Sequence, residues 1–153
     1  MSSTANPAAT RGGQKIKNPL RQLLDYGQSV WLDYIRRNLL TTGQLARMVE
    51  EDGLRGMTSN PTIFEKAIAG SSDYADELEE LAKRDDLDAK GIFEVLAIED
   101  IQSATDVLRS VYVDSNKRDG YVSLEVAPNL AHKTQETIDE ARRLWKAVAA
   151  RIR

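Results

Sequence analysis

Three short runs decide what this chain can fold into: VWLDYI (30–35), LRGMT (54–58) and YVSLEVA (121–127). Each is rich in β-branched, aromatic or large apolar residues, and Pro128 closes the last, so each reads as a strand. The intervals between them carry apolar residues at helical spacing. Strands alternating with amphipathic helices imply parallel βαβ units joined by right-handed crossovers.

The helical segments have recognisable ends. Thr41 or Thr42 is placed to cap a helix over 43–52, with Leu45, Met48 and Val49 on one face and Gly53 beyond its last turn. Asn60-Pro61 opens a second helix, with Pro61 suited to the first helical position. Residues 73–114 read as mostly helical, with Asp88 as a cap dividing them into two halves, and form a helix-rich insertion between the second and third strands. After the turn SNKRDG (115–120) and the third strand, Thr134 is expected to cap a last helix whose face is Ile138, Ala141, Trp145 and Val148. Residues 1–20 hold mainly Ser, Thr, Ala, Asn, Gly and Pro, which bury too little to offset their ordering entropy. They are expected to be a disordered tail ahead of one domain, 21–153. Three strand–helix units are visible, whereas a closed (β/α)₈ barrel typically takes ~250 residues. The alternatives are a small open α/β domain or the front portion of something longer.

Composition narrows the function classes. A net charge of −3 with no clustered basic face argues against a nucleic-acid partner. No apolar run approaches the ~20 residues of a membrane span, and the N-terminal stretch has no apolar core of the secretory type. Cysteine is absent, which excludes disulfide frameworks and thiolate metal sites, and His132 is the one histidine. A cytoplasmic protein without a metal is the expectation.

The residues able to carry chemistry sit at strand ends. Asp33 lies in an apolar strand, where a carboxylate is costly unless it is solvated, paired or used. It reads either as half of an ion pair with a nearby Arg or Lys, or as an acid–base group at the mouth of a barrel. Glu125 shares a strand face with Ser123 and Ala127, opposite Val122, Leu124 and Val126. That polar face is either an ordinary half-exposed sheet surface or the inside of a barrel. Thr58, Ser59 and Asn60 precede Pro61 as turn and capping residues, or as the floor of a polyol site. Arg36 and Arg37 are either solvated or available to a phosphate. The acidic run 76–88 reads as a solvated helix face with i,i+4 pairing.

Taken together, GQSVWLDYIRRNLL (27–40), GLRGMTSNPTIFEKAI (53–68), DGYVSLEVAP (119–128) and TIDEARRLW (137–145) resemble the transaldolases, specifically the longer form also found fused to a sugar-phosphate isomerase. The resemblance runs in family order from about residue 19 to 148. It implies a (β/α)₈ barrel, of which these would be the first three β/α units. It also implies a transferase of the pentose phosphate pathway that moves a dihydroxyacetone unit from a ketose phosphate to an aldose phosphate without a cofactor. A lysine on the fourth strand forms a Schiff base with the ketose, and the iminium accepts the electrons of the breaking carbon–carbon bond. Carried over residue by residue, Asp33 handles the proton on the hydroxyl where that bond cleaves. Asn60 hydrogen-bonds the dihydroxyacetone unit, beside Thr58 and Ser59, and Glu125 activates the water of Schiff-base formation and hydrolysis.

The family's lysine strand should follow the LW-x-x-V stretch, but the sequence reads RRLWKAVAARIR and stops. Lys133 lies in the loop after the third strand and does not replace the nucleophile. AHKT (131–134) also departs from the family, which usually has an Asp before the Thr. The expectation is an N-terminal portion that is inactive alone, with sugar phosphates as its small-molecule partners and a C-terminal barrel fragment as a candidate protein partner. Alternatives are an interaction or assembly module, a homo-oligomer, or a related aldolase that cleaves rather than transfers.

Overall fold

The computed structural model describes residues 18–150, and the structural statements that follow concern those residues. Strands β1 (Val30–Asp33), β2 (Leu54–Ser59) and β3 (Tyr121–Leu124) form one sheet in the order β1-β2-β3, both pairings parallel. A short α1 (Pro19–Gln22) precedes β1. Helices α2 (Arg37–Thr41) and α3 (Gln44–Arg47) fill the first crossover, α3 continuing into a π turn over Met48–Asp52. The second crossover holds α4 (Pro61–Ala69), α5 (Ala75–Leu81) and α6 (Ala89–Asp114), and α7 (Thr134–Ala149) follows β3. The parallel α/β reading and the helix-rich second connection are both observed. No helix among the described residues is long and apolar enough to cross a membrane.

Several expected boundaries move, each for a local reason. Residues 1–17 of the expected tail lie outside the described residues, but Asn18 is not tail: its side chain accepts from the Leu20 amide and opens α1. β1 ends at Asp33 rather than Ile35, because Ile35 is fully buried in the turn toward α2 instead of in the sheet. β3 ends at Leu124 rather than Ala127. Its partner β2 stops at Ser59, opposite Leu124, and Pro61 then starts a helix without an N–H to give. Thr41 and Thr42 do not cap α3. They end α2, and their hydroxyls bond back to the carbonyls of Arg37 and Asn38, while Gly43 at φ 72° takes the cap position. Thr134 is the first helical residue of α7, after Lys133, and makes no cap bond. Asp88 does cap α6, accepting from the Gly91 amide at 2.8 Å, and Gly53 closes the first crossover at φ 73°.

The core lies on one side of the sheet. Val30, Leu32, Met57, Val122 and Leu124 meet Ala97, Ile101, Ala104, Leu108 and Val111 of α6, with Ile35, Leu39 and Leu45 from the first crossover. The long α6 is thus the backing of the sheet. A second cluster of Ala67, Tyr74, Leu81 and Leu96 packs α4 and α5 against the start of α6.

The other face begins with an aromatic level. Trp31 is in register with Gly56, and a Cβ on Gly56 would come within 2.3 Å of the indole. The ring therefore lies directly on the glycine. Tyr121, although in register with Gly56, turns to the helix side at the start of β3 and packs edge-on against Tyr112 of α6 at 5.5 Å. Gly56→Ala is expected to lower stability by about 1–3 kcal/mol through overpacking. The loss should appear in the urea midpoint, and Trp31→Val in the same chain should recover most of it.

Candidate active site

Because the three strands are parallel, their carboxyl ends coincide, and the sequence puts its polar residues there. Asp33 is the last residue of β1 and Ser59 the last of β2; Asn60 and Glu125 each follow their strand directly. Asp33 and Thr58 are register partners, and the Thr58 hydroxyl donates to Asp33 Oδ1 at 2.6 Å. Among the described residues Asp33 enters no ion pair, so its neighbour is a hydroxyl and not the Arg or Lys offered as one alternative. Asp33 is exposed beside Thr58 and stays open to a proton-bearing group from solvent.

Asn60 caps α4. Its backbone is extended (φ −139°, ψ 164°), and Oδ1 accepts from the Ile63 amide at 2.9 Å. The cap is therefore Asn60 itself, not Thr58 or Ser59. With Oδ1 committed, the amide keeps Nδ2 as a donor, and no hydrogen bond from Nδ2 forms among the described residues. Ser59 corrects the expectation made for it: it is fully buried, and its hydroxyl donates to the Ser123 carbonyl at 2.8 Å. It ties β2 to β3 and has no surface for a ligand. Glu125 is exposed and borders a cavity of about 200 Å³ lined mainly by α6 and α7, with Lys90, Glu94 and Glu140 among its walls and none of Asp33, Thr58 or Asn60. Among the described residues no hydrogen bond joins it to Asp33, Thr58 or Asn60. Lys133 stands apart, at the start of α7, with Nζ on Glu136 at 3.0 Å. No cluster of His, Asp or Glu among the described residues is arranged to hold a metal.

A buried polar cluster lies next to these groups, beyond what the local sequence pattern predicts. Arg37, read as solvated or phosphate-facing, points inward: Nε donates to Asp100 Oδ1 at 2.8 Å, Nη1 pairs with Glu77, and Nη2 lies 3.5 Å from Glu99. Its guanidinium sits over the Tyr74 ring, 4.8 Å from the centroid. Tyr74, fully buried, donates its hydroxyl to Asp100 Oδ2 at 2.7 Å. The Arg37 amide N–H donates to the same hydroxyl at 2.9 Å. Arg36 reaches Asp73 at 2.6 Å. Burial pushes the Asp100 carboxyl above its ordinary range, and the Tyr74 and Arg37 donors oppose that rise. Burial, then the Asp100 bond, pushes the Tyr74 phenol up, so it remains a donor throughout the physiological range. The Arg36 hydrogen bond instead holds Asp73 below its usual value. One sequence signal could have revealed the cluster: Asp100 falls midway between Leu96 and Ala104, at i,i+4 spacing on the buried stripe of α6.

A parallel strand–helix protein with a carboxylate, a hydroxyl and an amide gathered at its strand ends has the layout in which α/β enzymes build active sites. Comparison with known proteins narrows the class. A family model described as Transaldolase/Fructose-6-phosphate aldolase matches residues 30–152. The chain is 52% identical over 122 residues to a Transaldolase of Thiobacillus denitrificans, covering 80% of this chain and 34% of the relative. It is 47% identical over 131 residues to Transaldolase 2 of Nostoc punctiforme, covering 86% and 34%. It is 44% identical over 125 residues to a Transaldolase of Neisseria meningitidis, covering 82% and 35%. The chain belongs to the transaldolase/fructose-6-phosphate aldolase family, an enzyme family, and spans about a third of the length of the curated relatives it matches.

Two expectations follow from this geometry. Asn60→Ala should cost about 1 kcal/mol through the lost cap, and Asn60→Asp should retain most of it, as read by urea denaturation. The second concerns acid. With its native carboxyl held low, Asp73 contributes stability in full above the ordinary carboxylate value of 3.8, and that contribution fades as pH falls through the lowered native value. Asp73→Asn should therefore be less stable than the parent at neutral pH and converge on it at the acid end of a pH series.

Proposed function

We propose that these strands are the first three β/α units of a (β/α)₈ barrel and that their carboxyl ends supply part of a transaldolase site. The reaction is transfer of a dihydroxyacetone unit from a ketose phosphate to an aldose phosphate, as in the pentose phosphate pathway. The observation that carries the reading is the Asp33–Thr58 pair standing in register beside Asn60 in a chain of this family. Asp33 takes and returns the proton of the hydroxyl at the cleaving bond, with Thr58 holding one carboxylate oxygen. Asn60 donates from Nδ2 to a hydroxyl of the dihydroxyacetone unit while Oδ1 stays on the helix. Glu125 activates the water that makes and hydrolyses the Schiff base. The family's lysine belongs to a fourth strand, and neither Lys133 nor any group on β1–β3 substitutes for it.

The names of the curated relatives favour transfer over the aldolase cleavage that the family description also covers. A second reading rests on β1 and β3, each of which pairs with a strand on one side only among the described residues and could offer its other side to another chain. In that case the protein is an assembly module or homo-oligomer.

One experiment separates these. The 153-residue chain is mixed with a polypeptide comprising the residue-150-onward portion of the Thiobacillus relative, and fructose 6-phosphate is supplied as donor with an aldose phosphate acceptor. The expected result is turnover, lowered about 10²–10⁴-fold by Asp33→Asn. Binding without turnover supports the assembly reading and overturns the catalytic one. The chain alone, treated with fructose 6-phosphate and borohydride, is expected to carry no adduct; a stable adduct would overturn the assignment of the nucleophile to another strand.

A further inference from the structure

The connection from Asp33 to α2 is only three residues, 34–36, and it is held at every point after Tyr34. Ile35 is buried in the core. Arg36 is fastened to Asp73, and the Arg37 main-chain N–H to the Tyr74 hydroxyl. Asp73 and Tyr74 belong to the loop that leaves α4, the helix capped by Asn60. The segment downstream of Asp33 and the one downstream of Asn60 are thus clasped together. Asp100 of α6 closes the clasp by accepting from Arg37 and Tyr74 at once.

Stability alone is a poor reason for this arrangement. Replacing a buried ion cluster by apolar residues of similar volume is often neutral or stabilising. What such groups add is direction: hydrogen bonds at fixed angles to a main-chain amide, at the carboxyl end of the sheet. We propose that Arg37, Tyr74 and Asp100 are positioning residues that set the β1–α2 turn and so hold the Asp33 carboxylate on the Thr58 hydroxyl. The inference rests on the proposed function only in treating Asp33 as a reacting group; the positioning itself is a property of the unliganded chain.

The test uses the 153-residue chain with ¹³C-labelled aspartate carboxyls and threonine methyls, read by NMR together with amide exchange. Tyr74→Phe removes one oxygen and leaves the Arg37 N–H and Asp100 Oδ2 without their partner. The expected result is displaced Asp33 carboxyl and Thr58 methyl signals, with exchange at the amides of 34–37 faster by up to about tenfold, as for one lost hydrogen bond. Val111→Ala, a core deletion near the far end of α6, controls for general loosening and should leave those signals in place. Should Tyr74→Phe fail to fold, Arg37→Lys, which removes the Nε bond to Asp100 and keeps the charge, is read by the same signals. Unmoved Asp33 and Thr58 signals in the folded variant, or equal movement in Val111→Ala, would overturn the proposal. Because no substrate is added, failure of the transfer assay leaves this result standing on its own.

Discussion

The chemistry at the strand ends depends on the parallel register of β1 on β2. Side chains alternate faces along a strand, so a slip of one residue would turn Asp33 into the apolar face and Leu32 out of it. The level of Trp31 and Gly56 guards against this. The indole occupies the space where any side chain at position 56 would begin. A shift of β1 by one residue either way would bring it over Arg55 or Met57, neither of which leaves that room. One step along the same face, Asp33 meets Thr58, and Thr58 is in turn the register partner of Ser123. The β-irregularity between Val30 and Trp31 comes before this level, where it can adjust the strand without disturbing the polar end.

The charged groups of the molecule fall into two kinds with different weight. Arg143 forms paired bonds to Glu94 and further bonds to Glu140, joining α7 to α6 at the surface, where geometry is good but solvent screens the attraction. The Arg37–Asp100–Tyr74 cluster is the opposite case. Asp100 is nearly inaccessible and both of its oxygens are satisfied, so losing either donor would strand a desolvated charge. Among the described residues no buried side-chain polar atom lacks a partner. A polar network satisfied to that degree specifies one arrangement of its neighbours, and here the neighbours are the turns leaving β1 and α4.

Local signals in the sequence carried the sheet, because each strand announces itself over a few residues and parallel pairing follows from the helices between. They carried Asp33, Thr58 and Asn60 to the strand ends for the same reason. The strands end before Ile35 and Ala127, since apolar residues continue past the point where the neighbouring strand stops offering backbone partners. Ser59 looked like a ligand residue by its place beside Asn60, yet alternation sends it to the covered face. Arg37 escapes a local reading because its partners lie far along the chain, at Tyr74, Glu77, Glu99 and Asp100. Such pairing is invisible to any local window, although the spacing of Asp100 among apolar residues marked one end of it.

TSNP is the point where local structure and chemistry share a residue. As a helix cap alone, Asp and Ser would serve about as well as Asn. Asp would leave no donor, and Ser would spend its single oxygen on the Ile63 amide while offering one rotatable proton. Asn supplies a fixed acceptor for the helix and, on the same rigid amide plane, a donor directed elsewhere. Pro61 sharpens this by fixing the first helical φ and steering Asn60 into the extended backbone that the cap requires. The strain-free cap therefore orients the donor before any ligand arrives. Under the proposed function, that preorganisation explains why position 60 holds an amide rather than the equally good caps that lack one.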